Sequence, residues 1–438
     1  MPILEVLKAI KMEQLNTKNV RNNFPNYFII LSLVMLIAGL VFGLLSALIY
    51  IAPNIAKSIN FSMLRPLHVT SVVFWILLSS TGIIYLALQN LFASKLSKQI
   101  IAIQLSLWCV AIVGIVYSYF NQQFGGREYW EFNPIWALPI SLAWILFIIQ
   151  FFIIIKKIKD KPVFIWMWMT GVIFFLFTFI ENYLWVFPYF RKNFIVDTTI
   201  QWKVNGSLVG SWNQLIYGLA FYIMNKINND NKFVYSKQAF IMYFLGLANL
   251  MFNWSHHIYT LPTQEYLRTV GYVVSMSEWI FFVNILYNWK KSVKQMQIQY
   301  HYFPYRFVMM ADFWVFINMF QAILMSIPAL NLYTHGTHIT VAHAMGTTIG
   351  INSMILLGVI FEFVPTKQLN FKILKGLNIA FWAMQISLFI FWLSLVFAGI
   401  KKGIWQMTLN QSSFHSMMQS LQPTFIIFFR STDLITPK

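Results

Sequence analysis

Residues 26–51 read NYFIILSLVMLIAGLVFGLLSALIYI, a run without a single charged side chain. A helix rises 1.5 Å per residue, so this run is long enough to cross the roughly 30 Å of hydrocarbon in a bilayer. Ten further apolar runs of at least about 20 residues follow. They lie near 64–91, 99–120, 133–155, 162–187, 200–224, 238–262, 266–289, 306–332, 337–365 and 374–399. The sequence therefore predicts eleven transmembrane helices.

The composition excludes a string of water-soluble domains. Apolar residues make up 58% of the chain and charged residues 10%, and the mean hydropathy is +0.64, whereas soluble proteins average about 25% charged residues. We predict an all-α, polytopic transmembrane helix bundle of 11–12 helices, forming a single domain over 1–438. A polar segment at 1–25 precedes it, and we expect no cleavable signal peptide there. Because Arg430 and Asp433 follow an apolar run at once, a last helix at 413–430 is either short and tilted or incomplete.

The basic side chains indicate the orientation of the chain. With the N-terminus inside, 20 Lys and Arg lie on the inner side, or 22 if a twelfth helix crosses, against nine on the outer side. This bias predicts a cytoplasmic N-terminus. It also accounts for the net charge of +18, so we expect a lipid bilayer and no nucleic acid as partner. The single cysteine, Cys109, excludes a disulfide framework, a cysteine-based zinc site and attached c-type haem.

Histidines mark the candidate site. Four of them lie at one depth, in the outer third of three predicted helices: His68, His256, His257 and His343. Imidazole is a common ligand of iron and copper, and haem iron takes it axially, so this layer predicts metal or haem binding. Trp254 and Pro262 mark a helix end, where the adjacent pair can face one ion. His335 and His338 lie at a helix mouth, where we expect contact with water or with haem propionates.

One carboxylate lies at an unusual depth. Glu278 falls near the middle of the eighth predicted helix, and an ionisable group there is costly enough to predict a function. We expect it to relay protons or to face a metal, and a hydrogen bond to a neighbouring helix is the alternative. Glu181 and Glu362 lie nearer to helix ends, and we interpret both as interfacial.

Six segments carry a family resemblance. In chain order they are LRPLHVTSVVFW (64–75), GREYWE (126–131), WKVNGSLVGSW (202–212), HHIY with PTQEY (256–259 and 262–266), VGYVVSMSE (270–278) and YTHGTHITVAH (333–343). Together they resemble the catalytic subunit I of the haem-copper oxidase superfamily, and in particular its nitric oxide reductase branch. The resemblance runs from about residue 25 to 400 and implies a multi-pass protein of the bacterial inner membrane.

The resemblance implies a set of cofactors and their ligands. The cofactors are two haems b, a non-haem iron or copper ion and a calcium ion. His343 would be the axial ligand of the high-spin haem, and His256 and His257 would hold the non-haem metal. His68 would bind the low-spin haem. Glu128 would bind the calcium ion that bridges the haem propionates, Glu131 would lie at the outer proton entrance, and Glu278 would lie near the active site.

Three positions depart from the family pattern. Asn205 stands where the family has a metal-binding His, which leaves a neutral amide oxygen as the third ligand. Val209 stands where the reductases have Glu and many oxygen reductases have Tyr. Met345 replaces the second His of the tenth-helix motif, and His–Met is a known haem ligation. We therefore predict low-spin haem ligation by His68 and Met345.

These features favour a membrane subunit that reduces nitric oxide to N2O. The alternatives are dismutation of NO to N2 and O2, terminal reduction of O2, and a haem-binding membrane protein without catalysis. A transporter fits less well, because its site is expected near the bilayer midplane. The sequence has no C-x-x-C-H motif, so electrons must come from a cytochrome c-type partner subunit or from quinol.

Overall fold

A computed structural model describes residues 24–51, 60–92, 96–277, 279–364, 369–408 and 413–433 of the protein. The described chain is a bundle of helices around one continuous apolar core. The described α-helices of eight or more residues are α1 (Phe24–Ile51), α2 (Phe61–Phe92), α3 (Lys98–Phe120), α4 (Ala137–Ile155), α5 (Val163–Glu181), α6 (Phe194–Asn228), α7 (Lys237–Phe252), α8 (Glu265–Ser277), α9 (Trp279–Ser292), α10 (Tyr302–Ser326), α11 (His338–Met345), α12 (Met354–Glu362), α13 (Phe371–Met407) and α14 (Phe414–Asp433). Shorter α-helices lie at Pro188–Arg191, Gln295–Tyr300 and Pro328–Thr334. This confirms the predicted all-α transmembrane bundle.

Eight described stretches are long and apolar enough to cross a membrane. They are α1 to α5, α10, the stretch that contains α11 and α12, and α13. The long helix α6 is more polar, because its inner face carries side chains such as Gln201, Asn205 and Gln214. The last helix, α14, forms over Phe414–Asp433 and includes Pro423. Residues 1–23 lie outside the described residues, so the cytoplasmic N-terminal segment stays a prediction.

Polar caps extend two helices beyond their apolar runs. The sequence predicts 200–224, but α6 begins at Phe194, because the Asn193 side chain accepts hydrogen bonds from the amides of Ile195 and Val196. It ends at Asn228, and the next residue, Asn229, has a left-handed φ of 51°, as is common after helix ends. Similarly, α13 begins at Phe371 because Asn370 accepts from the amide of Lys372. Hydropathy alone does not reveal such ends.

A small hairpin lies between α3 and α4 and contains the GREYWE segment. Strands β1 (Phe124–Arg127) and β2 (Trp130–Phe132) are antiparallel, with Arg127 opposite Trp130. The tight turn places Tyr129 at a φ of 70°. A side chain at Gly126 would collide with the carbonyl oxygens of Trp130 and Phe132. The hairpin buries Trp130 completely, and this fixes the two neighbouring glutamates, Glu128 and Glu131, at one end of the bundle.

The tenth predicted helix is not uniform. Between α11 and α12, residues Gly346–Ser353 form a π-helix, a rare conformation that is frequent at functional sites. Hydroxyl groups bind carbonyl oxygens here: Thr348 Oγ1 donates to Ala344 at 2.8 Å, and Ser353 Oγ donates to Thr348 at 2.9 Å. Ser353 Oγ also accepts from Trp75 Nε1 of α2 at 3.0 Å. The π-helix therefore resets the register of the helix directly after His343 and Met345.

Candidate functional site

Three helical segments bring four histidines together. His256 and His257 lie on a 3-10 helix, Asn253–Ile258, that continues α7. Their rings stack with centroids 4.4 Å apart and an interplanar angle of 28°. His343 of α11 and His335, just before α11, both interact electrostatically with this pair. We call His256, His257, His335 and His343 the histidine cluster.

A hydrogen-bond chain orients one member of the cluster. Nδ1 of His256 lies 2.9 Å from Oδ1 of Asn253. Ser275 Oγ of α8 donates to the same amide oxygen. An amide oxygen only accepts, so His256 carries its proton on Nδ1 and keeps a lone pair on Nε2. Metal-binding histidines typically show this arrangement, with the second nitrogen held by an acceptor.

The side chains of the cluster are of the kind that binds a metal or haem, but among the described residues no three His, Cys, Asp or Glu side chains are placed to hold one metal ion, so metal binding here stays a prediction. In the described part of the chain, Nδ1 of His343 is buried and has no hydrogen-bond partner. Leaving a buried polar atom without a hydrogen-bond partner costs about 1–3 kcal/mol. A metal ion or haem bound at the cluster would lower this cost if it supplied His343 with a partner. Imidazoles from three segments, with no thiolate among them, form a donor set that suits iron or copper. His257 packs edge-on against α6, where a side chain at Gly206 would lie 3.0 Å from its Cδ2.

Asn205 points towards the outer hairpin. Its Nδ2 donates to Oε2 of Glu128 at 3.0 Å, and its Oδ1 accepts from Nε2 of Gln201 at 3.1 Å. Gln201 also donates to Oδ1 of Asn182 at 3.4 Å. Both polar atoms of Asn205 are therefore engaged by neighbouring side chains. Its role as metal ligand, and the calcium role of Glu128, stay predictions.

An ion pair joins α2 to the hairpin. Glu131 accepts from Arg65 Nη1 at 2.6 Å, while its Oε2 is buried without a partner in the described chain. Burial raises the pKa of Glu131, the Arg65 guanidinium opposes this, and the neighbouring Glu128 adds to it. A carboxyl group in this setting keeps a proton to higher pH than one in water. Proton transfer at the outer entrance stays a prediction that this environment supports.

A second ion pair, which the sequence did not predict, lies between α5 and α6. Lys203 Nζ lies 2.5 Å from Oε2 of Glu181, and the ammonium group lies 5.9 Å from the Trp254 ring centroid. Glu181 lies at the end of α5, where the sequence predicts an interfacial position, and it pairs with a lysine next to the residues that precede the histidine pair. The signal in the sequence was the presence of opposite charges at the same end of two neighbouring predicted helices.

His68 lies apart from the cluster, against α1. Its Nδ1 lies 2.7 Å from the carbonyl oxygen of Gly39, so Nδ1 donates and Nε2 keeps its lone pair. A side chain at Gly43 would lie 2.7 Å from the same Nδ1. Gly43 thus leaves a slot for the imidazole, and the carbonyl oxygen of Gly39, one helical turn away, orients it. This geometry fits a histidine that binds haem iron through Nε2.

The remaining predicted residues lie around these groups. Met345 is half-buried at the end of α11, directly before the π-helix, and its pairing with His68 stays a prediction. The His335 ring packs on Trp202 at 4.8 Å, and burial lowers the pKa of His335. His338 packs against Phe425 of α14 at 5.4 Å, with a buried Nδ1 that has no partner in the described chain. Glu278 lies outside the described residues.

Comparison with known proteins identifies the family. The family model for cytochrome c and quinol oxidase polypeptide I matches residues 26–430. The chain belongs to this haem-copper oxidase subunit I family. It is 23% identical to cytochrome c oxidase subunit 1 of Rhodobacter capsulatus over 369 residues, covering 79% of this chain and 68% of that protein. It is 22% identical to a nitric oxide reductase subunit of Stutzerimonas stutzeri over 422 residues, covering 86% and 83%.

Other relatives support the same family and fold. A cbb3-type cytochrome c oxidase subunit of Stutzerimonas stutzeri is 22% identical over 397 residues, covering 84% of this chain and 81% of that protein. The fold is similar to that of a haem-copper terminal oxidase dimer solved by cryo-electron microscopy. The TM-score is 0.65 at 13% identity, with 96% of this chain and 85% of that chain covered. The protein is therefore an oxidase-family, multi-pass membrane protein with an expected oxidoreductase activity.

The glycine slot allows a direct test of the His68 assignment. We expect Gly43→Ala to displace the His68 ring, because the new methyl group would lie 2.7 Å from Nδ1 and 2.9 Å from Cε1. The optical spectrum of the purified protein should lose low-spin haem signal and keep high-spin signal. Gly376→Ala is the matched control, since a side chain at this helical glycine meets nothing within 4 Å. An unchanged low-spin spectrum in Gly43→Ala would contradict the assignment.

Proposed function

We propose that this protein is the catalytic membrane subunit of a nitric oxide reductase. The reaction joins two NO with two electrons and two protons to give N2O and water. One observation carries the proposal: the carboxylate of the GREYWE hairpin reaches the α6 segment beside the histidine cluster, through the 3.0 Å bond from Asn205 to Glu128. That hairpin motif is the part of the sequence that resembles the reductase branch in particular.

The protein's residues would hold the cofactors as follows. His343 would bind the iron of the high-spin haem, and His256 and His257 would bind a non-haem iron or copper ion. His68 with Met345 would bind the low-spin haem, and Glu128 a calcium ion. When bound, these metals supply substrate coordination and electron transfer. The protein keeps the Nε2 lone pairs of His68 and His256 available through the hydrogen bonds to Gly39 and Asn253.

Protons would enter from the hairpin side. Glu131 has a raised pKa, one oxygen paired with Arg65 and one buried oxygen without a partner in the described chain. It can therefore hold a proton and release it towards Glu128, with which it interacts electrostatically. Glu278 would complete the path nearer to the metals. Electrons would come from a cytochrome c-type partner subunit or from quinol.

Dismutation of NO to N2 and O2 is the second candidate. It is favoured by Asn205, because both polar atoms of its amide are used by Glu128 and Gln201. The non-haem metal would then have two histidine ligands and more open positions than in a three-histidine site. Reduction of O2 is supported by the names of most relatives, but the position one turn after Asn205 carries Val209 and not a tyrosine.

Isotope-labelled NO distinguishes these reactions. The purified, haem-loaded protein should convert 15N-labelled NO to labelled N2O only when an electron donor is present, as measured by membrane-inlet mass spectrometry. Labelled N2 together with O2, formed without a donor, would show dismutation instead. Donor-dependent O2 uptake without NO consumption would contradict the proposal and identify an oxygen reductase. Haem without either gas chemistry would indicate a non-catalytic haem protein.

A further inference from the structure

A large open groove lies at the end of the bundle opposite to the hairpin. It has a volume of about 980 Å³ and runs between the beginning of α10 and the beginning of α13. The positive-inside pattern predicts this end to be cytoplasmic. None of the proposed haem or metal ligands lines the groove, so it is separate from the histidine cluster.

The groove is polar at one end and apolar along its length. Lys375 and Asn378 line the end near the start of α13, with Tyr302 opposite. Ile379, Trp382 and Ile386 continue the wall deeper along the same helix. From Lys375 to Ile386 the helix rises by about 16 Å. Trp382 and Ile386 are each 53% exposed, so these apolar side chains face a partner or lipid and not the protein core.

A fixed arginine adds positive charge behind the polar end. The Arg306 guanidinium lies 4.2 Å from the Phe381 ring centroid and 5.5 Å from that of Trp382. Its Nη1 donates to the Tyr302 hydroxyl at 2.9 Å and to Oδ1 of Asn378. Within the described ranges no carboxylate pairs with Arg306 or with Lys375. Moreover, no acidic side chain is among the described residues that line the groove.

The charge and shape of the groove are complementary to those of an amphiphilic molecule with an anionic headgroup. A cationic polar end at interfacial depth attracts an anionic headgroup, and basic pockets between helices on this side of a membrane are known to bind such headgroups. The apolar wall below it is long enough for most of one acyl chain. Arg306 is held by aromatic rings and two hydrogen bonds, so little side-chain entropy is lost when an anion arrives.

We propose that this groove binds one anionic phospholipid, with its phosphate beside Lys375 and Arg306 and an acyl chain along Ile379, Trp382 and Ile386. The lipid would seal the interface of α10 with α13 on the side opposite to the hairpin. This site is independent of the gas that the histidine cluster converts.

Native mass spectrometry of the full-length, haem-loaded protein tests the proposal. The protein is released from nanodiscs that contain equal amounts of phosphatidylglycerol and phosphatidylcholine. We expect wild type to retain one phosphatidylglycerol molecule in preference to phosphatidylcholine. One basic side chain near an anionic headgroup changes binding by about five-fold, so Lys375→Gln should lower this retention by about that factor, and Lys375→Glu by more.

Lys98→Gln is the matched control. Lys98 is also an exposed lysine at the start of a helix at the same end of the bundle, but it does not line the groove. Retention that falls equally in Lys98→Gln would show unspecific charge attraction and overturn the proposal. Equal retention of the two lipids by wild type would also overturn it, and this comparison needs no variant. A quinone or a second copy of the chain that displaces phosphatidylglycerol from the groove would overturn it as well.

Discussion

His257→Ala is expected to abolish NO consumption while both haems stay bound. His257 makes no hydrogen bond in the described chain, and its ring packs against Gly206 and beside His256. Its removal therefore leaves a small cavity and no unpaired charge, so the fold should survive. Loss of a residue that only orients a metal ligand costs 10–100-fold in affinity or activity, and loss of a ligand itself should exceed about 100-fold.

The measurements separate metal loss from haem loss. Elemental analysis should show less non-haem metal per chain in His257→Ala, while the haem spectrum stays as in wild type. His343→Ala should instead lose the high-spin haem. His415→Ala is the matched control, since His415 of α14 is exposed and bonds to Gln419. Full activity with unchanged metal content in His257→Ala would remove this residue from the site.

Asn205→His together with Val209→Glu is expected to strengthen the non-haem metal site. Residues four apart lie on one face of a helix, and the neighbouring Gly206, about 100° around α6 from Asn205, packs against His257. An added imidazole and an added carboxylate should each raise iron affinity by about 10–100-fold, if ligands behave like the residues that orient them. In a reductase the double variant should form N2O faster with a donor. In a dismutase it should no longer release O2 from NO.

The melting temperature provides a second test of the double variant. An ionised Glu at position 209 would be partly buried among helices, which is costly unless a cation pairs with it. The double variant should therefore melt at a lower temperature than wild type without metal, and recover when iron is added. Val209→Gln, with Asn205 unchanged, is the matched control that adds size without charge. If the double variant shows no gain in iron affinity and no iron-dependent change in melting temperature, the α6 residues do not face the metal.

The order of the helices and their approximate positions could be predicted from the sequence, because hydropathy is a local property, but the capped ends of α6 and α13 could not. The apolar runs at 26–51 and 64–91 correspond to α1 and α2, and the helix end near Trp254 appears as the 3-10 helix at Asn253–Ile258. The position of a histidine within such a run predicts its depth in the membrane. The family resemblance added the assignment of ligands, which spacing alone does not give.

Contacts between distant segments required the tertiary structure. The bond from Asn205 to Glu128 joins residues 77 apart in the chain, and His68 and Gly39 are 29 apart. No local pattern reveals that Gly43 of α1 leaves a slot for an imidazole of α2, or that Trp75 of α2 donates to Ser353 of the π-helix. The sequence by itself determined which segments are apolar enough to enter a membrane and which of them carry histidines. Only packing decided which side chains meet, because close approach depends on the shape of both surfaces.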